Sequence, residues 1–155
     1  MPIYHLWYIS FQYSVQGISL SIEESLSDLG RIFDKRLSFK PHLSAIIARA
    51  NKKLGLVIRM CSHFKKVSTF FLLYNAFVRS ILEYGSVIWH QDGNETQSST
   101  IEKIQKRFLR YVFYRVHGIY PHYQLYPVRT VDMQKEFDCT SLKERRKQID
   151  LIFLY

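Results

Sequence analysis

Two cysteines, Cys61 and Cys139, are all that 155 residues contain, and neither belongs to a CxxC pair. A disulfide framework and a zinc ribbon are thereby excluded, and a reducing compartment becomes the default. No uninterrupted apolar run approaches the ~18 residues of a membrane-spanning helix. The opening "MPIYHLWYISFQY" is apolar, but it has no basic leader, is interrupted by His5 and precedes no small-residue cleavage pattern. No signal peptide is expected, so the chain reads as intracellular, nuclear or cytoplasmic, without a membrane partner. Adjacent aspartates, GxxxxGK, GxSxG and HExxH are missing as well. The six histidines are scattered, and His63, two residues from Cys61, has no second pair of ligands to complete a metal site. One carboxylate such as Asp34 cannot hold a divalent ion for phosphoryl transfer. No metal, no cofactor and no catalysis are therefore expected of this chain by itself.

Negative charge is scarce in a patterned way. Between Lys35 and Leu82 stand ten bases and no acid: Lys35, Arg36, Lys40, Arg49, Lys52, Lys53, Arg59, Lys65, Lys66 and Arg79. From Lys103 to Val131 there are six more, Lys103, Lys106, Arg107, Arg110, Arg115 and Arg129, again without an acid. The whole chain carries a formal charge of +9. Solvated helices ordinarily mix signs, since Glu and Lys four apart support each other by a few tenths of a kcal/mol. Helices that forgo this support suit a phosphate backbone. A generally basic protein surface, an amphipathic membrane-surface helix and an acidic protein partner are the other readings that charge alone leaves open.

Hydrophobic residues make up 47% and aromatic residues 15%, which argues for a packed core. From Ile3 to Phe33 the composition favours two to four short strands, with a turn at Gly17, too few to be stable in water without a partner surface. Pro41 then suits the first turn of a helix. Leu43, Ile46, Ile47, Ala50, Leu54, Val57, Ile58 and Cys61 follow as one apolar stripe. A second helix fits Ser68 to Tyr84, with Gly85 at a left-handed C-terminal position, and "SHFKKV" turns the two into a hairpin. "HQDGNETQSS" reads as a surface loop. Ser99 and Glu102 have capping-box spacing before a third stripe, Ile101, Ile104, Phe108, Leu109, Val112 and Val116. After the irregular "YPHYQLYPVRT", Ser141 with Glu144 opens a last helix that stops at Tyr155 within an apolar run, as a cut chain would. The expected fold is mainly α, a helical bundle with a small N-terminal β element of two to four strands.

Four blocks carry a family resemblance. "SDLGRIFDKRLSFKPHL" holds Asp28, Leu29, Gly30, Phe33, Asp34, Leu37, Phe39 and His42; "KKLGLVIR" holds Leu54, Gly55 and Arg59. "LLYNAFVRSILEYGSVIW" contributes Leu73, Tyr74, Val78, Arg79, Ser80, Leu82, Glu83, Tyr84 and Trp89. "IEKIQKRFLR" and the closing "SLKERR" complete the order. Together they resemble the C-terminal side of reverse transcriptases of non-LTR, LINE-type, jockey-like retrotransposons. One departure is His90 and Gln91 where that family has Pro after the Trp.

The resemblance implies that residues 1–37 are a β remnant of the palm end, 38–90 a thumb-like helical hairpin and 91–155 a connection region with two helices, truncated. It implies an origin in an RNA-directed DNA polymerase whose fingers, palm and paired metal-binding Asp lie upstream, where the full-length enzyme would use Mg. It further implies that the retained part grips an RNA or DNA template–primer duplex. Lys52, Lys53, Arg59, Lys65, Lys66, Lys106, Arg107 and Arg110 are the expected phosphate contacts. Asp28, Leu29, Gly30, Asp34, His42, Glu83, Tyr84 and Trp89 are the expected structural motif, with Asp34 marking the palm end. A docking module for an acidic protein, or a pseudogene product without function, are the competing expectations.

Overall fold

The computed structural model describes residues 13–90, 95–121 and 127–155. The expected strand character of residues 3–12 lies outside them. The chain divides into two units, Met1–Ser38 and Phe39–Tyr155.

The first unit holds two antiparallel hairpins, β1 (Ser14–Val15) with β2 (Ile18–Ser19), and β3 (Ser25–Asp28) with β4 (Arg31–Asp34). Each turns through two left-handed residues, Gln16–Gly17 at φ 52° and 78° and Leu29–Gly30 at 45° and 76°. Two consecutive positive φ values make the turn whose twist matches its strands, and glycine reaches them without the Cβ clash that Leu29 accepts. Asp28 therefore faces Arg31 and Ser25 faces Asp34. Asp34 closes this unit: its carboxylate accepts the Ser38 N–H at 3.1 Å and its carbonyl the Leu37 N–H at 2.7 Å. Lys35 ties back across the hairpin, its Nζ 3.0 Å from Glu24.

The second unit is helical. Its elements are α1 (Lys40–Cys61), α2 (Val67–Tyr74), a π turn (Asn75–Arg79), α3 (Ser80–Glu83), α4 (Ser86–Trp89), α5 (Glu95–His117), α6 (Thr130–Glu136) and α7 (Leu142–Leu154). The chain is mainly α with a small N-terminal β element, as its patterning indicates.

From α2 through the π turn to α3 the chain runs as one helix, and its buried residues are Phe70, Tyr74, Val78 and Leu82. A row at steps of four drifts about 40° per step on an ideal α-helix and would leave the core. The wider π turn takes up the surplus and keeps the row in register, with the Ser80 N–H reaching the Asn75 carbonyl. Gly85, at φ 60°, stops the helix, as the sequence suggests.

α1 buries Leu43, Ile46, Ala50, Leu54, Val57 and Cys61, and α5 buries Ile101, Ile104, Phe108, Leu109 and Val112. Ile47 and Ile58 are only half-buried, and Val116 is exposed. Both long helices pack against the α2–α3 helix and against each other. At their starts Leu43, Ser44 and Ile47 share a cleft with Thr96, Gln97 and Thr100; at their ends Arg115 bonds the Cys61 carbonyl. The two therefore run parallel, aligned with an offset of about fifty-four residues.

Three expectations need correction. α5 starts at Glu95, so residues 95–99 are helix rather than loop, while 91–94 lie outside the described residues. Ser99 is then inside the helix, its hydroxyl donating to the Thr96 carbonyl, and no capping box forms with Glu102. Residues 91–155 contain a third helix, α6, which buries only Met133 and so left almost no hydrophobic period to read. Ser141 does cap α7, accepting the Glu144 N–H at 3.1 Å.

Tyr74 stacks on Phe108 with ring centres 4.1 Å apart and planes 7° from parallel. Burial raises its phenol well above the ordinary range, and its hydroxyl has no hydrogen-bond partner among the described residues. Tyr74→Phe keeps the stack and removes an unsatisfied polar group, so its unfolding free energy in a urea titration should match or exceed that of the wild type, by about 1 kcal/mol. A loss of that size instead would reveal a partner for the hydroxyl.

Candidate nucleic-acid interface

On α1, the bases stand on the turns between buried positions. Lys52 and Arg59, seven apart, share the face opposite the core, and Lys53 lies on a flank one turn from Arg49. Lys65 and Lys66 occupy the connection between α1 and α2, where Lys66 sits just before the first turn of α2. On α5, Arg107 faces away from the buried row. Lys106 and Arg110 are half-buried and engaged in contacts within the fold. The parallel alignment sets Lys52 and Lys53 at the level of Lys106 and Arg107.

Lys52, Lys53, Arg59, Lys65, Lys66 and Arg107 are exposed, and among the described residues no carboxylate lies within ion-pair reach of any of them. Three acids of the helical unit are paired elsewhere, Glu95 with Lys143, Asp132 with Arg129 and Glu136 with His117. An exposed cation without a local acid keeps its full attraction for an external anion.

Arg115 belongs to the second acid-free stretch but faces inward. Its Nη1 donates to the Cys61 carbonyl at 2.9 Å and to the Tyr111 hydroxyl at 2.8 Å, and its Nη2 to the Phe64 carbonyl at 2.9 Å. The guanidinium also lies 5.1 Å from the centre of the Phe70 ring. It fastens the end of α1 to α5, with three of its five hydrogens spent within the fold.

The motif residues turn out to hold elements together. His42 and Trp89 are buried with ring centres 5.9 Å apart, and Trp89 Nε1 donates to the Tyr84 carbonyl at 3.1 Å, while the Tyr84 side chain stays exposed. Glu83 receives a two-pronged contact from Arg145, which links α3 to α7.

Glu102 and Gln105 cap α7 from the side: Lys143 N–H reaches Glu102 Oε1 at 2.6 Å and Leu142 N–H reaches Gln105 Oε1 at 3.1 Å. With Ser141 on Glu144, three of the open amides at the start of α7 are thereby satisfied. Burial raises the Glu102 carboxyl, against the pull of its bonds to α7 and of Arg146.

Arg146 is fully buried and gives one bond to Ser98 Oγ at 3.1 Å. Burial lowers its guanidinium, and Glu102, Glu83 and Asp150 oppose that shift.

Among the described residues no set of three His, Cys, Asp or Glu is placed to hold a metal ion, and no helix is long and apolar enough to cross a membrane.

No protein-family model matches the chain, and no solved structure does. An uncharacterized protein of Caenorhabditis elegans, B0403.1, is 32% identical over 69 residues, 44% of this chain. The matched stretch is 34% of that protein, so the chain spans about a third of the length of the curated relative it matches.

Proposed function

We propose that the helical unit holds nucleic acid by its phosphate backbone, as the thumb and connection portion of a non-LTR reverse transcriptase, and that it catalyses nothing by itself. The observation that carries this reading is the exposed set Lys52, Lys53, Arg59, Lys65, Lys66 and Arg107, none of which has an acid in reach among the described residues. The four sequence blocks supply the polymerase context. The Mg of such an enzyme belongs to the paired Asp of its palm, and the described residues of this chain do not gather a ligand set that fits the ion. Phosphate contacts of this kind position a duplex without reading its sequence.

A gel-shift titration of the folded chain on an RNA–DNA duplex tests the proposal. Affinity should fall steeply with salt, each phosphate contact adding about 0.9 to the log–log slope. Replacing Lys52, Lys53 and Arg59 by alanine should lower that slope by about two to three units. A folded chain that binds no duplex at low salt, or binds it equally well at high salt, would sink the idea.

A further inference from the structure

The π turn opens the helix wall beside a cleft of about 360 Å³ formed with the α6–α7 connection and α7. Asn75 and Arg79, the two ends of the π turn, line it, and Arg145 reaches in from α7. π turns recur where a helix must present side chains that regular winding would misplace.

Both guanidiniums rest on one carboxylate. Arg145 gives its Nε and Nη2 hydrogens to the two oxygens of Glu83, and Arg79 Nε lies 3.8 Å from Glu83 Oε2. The remaining Arg145 nitrogen, Nη1, and both terminal nitrogens of Arg79 have no acceptor among the described residues. Two positive charges thus share one negative charge at the back of a cleft, oriented by it and not satisfied by it. Cys139 lines the same wall; burial raises its thiol, and Arg79 and Arg145 counter that. At the other side Phe71 and Phe137 meet with ring centres 6.0 Å apart. The one carboxylate on the rim is that of Asp138, exposed, at φ 47°.

We propose that this cleft binds a phosphate monoester carrying a flat ring, as a nucleotide does. The phosphate lies across the spare guanidinium hydrogens of Arg79 and Arg145, the Asn75 amide takes a polar edge, and the ring rests on Phe71 and Phe137. Planar guanidinium forks match phosphate oxygens, and a second fork adds direction as well as charge. The pocket shares no residue with the exposed basic set of α1 and α5 and does not depend on the backbone-holding reading. A free nucleotide and the phosphorylated end of a strand offer the same chemistry.

Alkylation of Cys139 by iodoacetamide reports occupancy in the full chain, because Cys61 is fully buried. AMP or a 5′-phosphorylated oligothymidylate should slow the reaction, and the one that does so identifies the source; adenosine and the unphosphorylated strand should not. Arg79→Gln should weaken protection about tenfold. Asp138→Asn removes the opposing charge, keeps a residue that tolerates left-handed backbone, and should strengthen protection. The proposal is overturned if adenosine protects as well as AMP, or if neither phosphorylated probe protects. It is equally overturned if Asp138→Asn, melting like the wild type, fails to tighten either probe. The outcome is read from alkylation and the backbone grip from the salt slope, so either can fail without the other.

Discussion

Gln105→Ala is expected to destabilise the helical unit by about 3–5 kcal/mol, read as a lower urea midpoint. Gln105 sits on α5 among Ile101, Ile104, Phe108 and Leu109 and is 1% exposed. Its Nε2 donates to the Thr140 carbonyl at 2.8 Å and to Cys139 Sγ at 3.0 Å, while its Oε1 accepts the Leu142 N–H. One amide thus closes the connection into α7 and caps the first turn of that helix. Truncation removes these bonds at once, leaves the buried Leu142 N–H and the part-buried Thr140 carbonyl without their partner, and opens a void. Each buried orphan costs about 1–3 kcal/mol, and the void adds to it. Gln105→Leu separates the two contributions, because it refills most of the volume and restores no bond. It should recover only the packing part; a leucine variant as stable as the wild type would show that the bonds contribute nothing net.

The second large effect is expected at Arg115. Losing its contacts with Cys61, Phe64 and Tyr111 should cost about 2–4 kcal/mol in Arg115→Ala, since bonds from a charged donor are worth about 1.5–3 kcal/mol each and this group is partly solvated. The cation also faces the carbonyl end of α1, where positive charge is favoured. Arg115→Lys keeps the charge and loses the fork, so it should recover less than half of the loss. A lysine variant that restores full stability would show that charge alone is at work. On the backbone-holding reading, neither substitution changes the salt slope of duplex binding, because Arg115 is held within the fold by three of its five hydrogens and is not one of the exposed phosphate contacts.

The two residues also mark where sequence reading stops. The apolar period of α1 is legible because every fourth or third residue points one way and nothing interrupts it. The left-handed stop at Gly85 and the capping serine at Ser141 are legible because local backbone chemistry fixes them within a few residues. Gln105 and Arg115 act across 35 and 54 residues of chain, and no local rule couples such positions. A signal was present all the same: Gln105 interrupts an apolar stripe four residues after Ile101, and Arg115 follows Val112 by three on the same side. A polar group in a buried row must have a partner, and that partner could have been sought.

The false capping box at Ser99 has the opposite origin. The right residue types stand at the right spacing, but the helix starts a turn earlier, and Glu102 is drawn off to cap α7 instead. Of the expected basic set, the α1 and turn residues and Arg107 are exposed, whereas Lys106 and Arg110 are half-buried, because charge counting along a sequence does not know which side of a helix a neighbour covers. The cleft at Arg79 and Arg145 was illegible for a further reason: its residues lie far apart in sequence, and the π turn that presents two of them has no signature in composition.

The side-on cap of α7 also dictates an order of events as the chain is made. Synthesis runs from the N-terminus, so Gln105 on its apolar stripe is made 35 residues before Thr140. Until Thr140 and Leu142 arrive, the growing bundle must keep that amide hydrated and α5 partly uncovered. Docking of α7 is therefore the step that dries this part of the core.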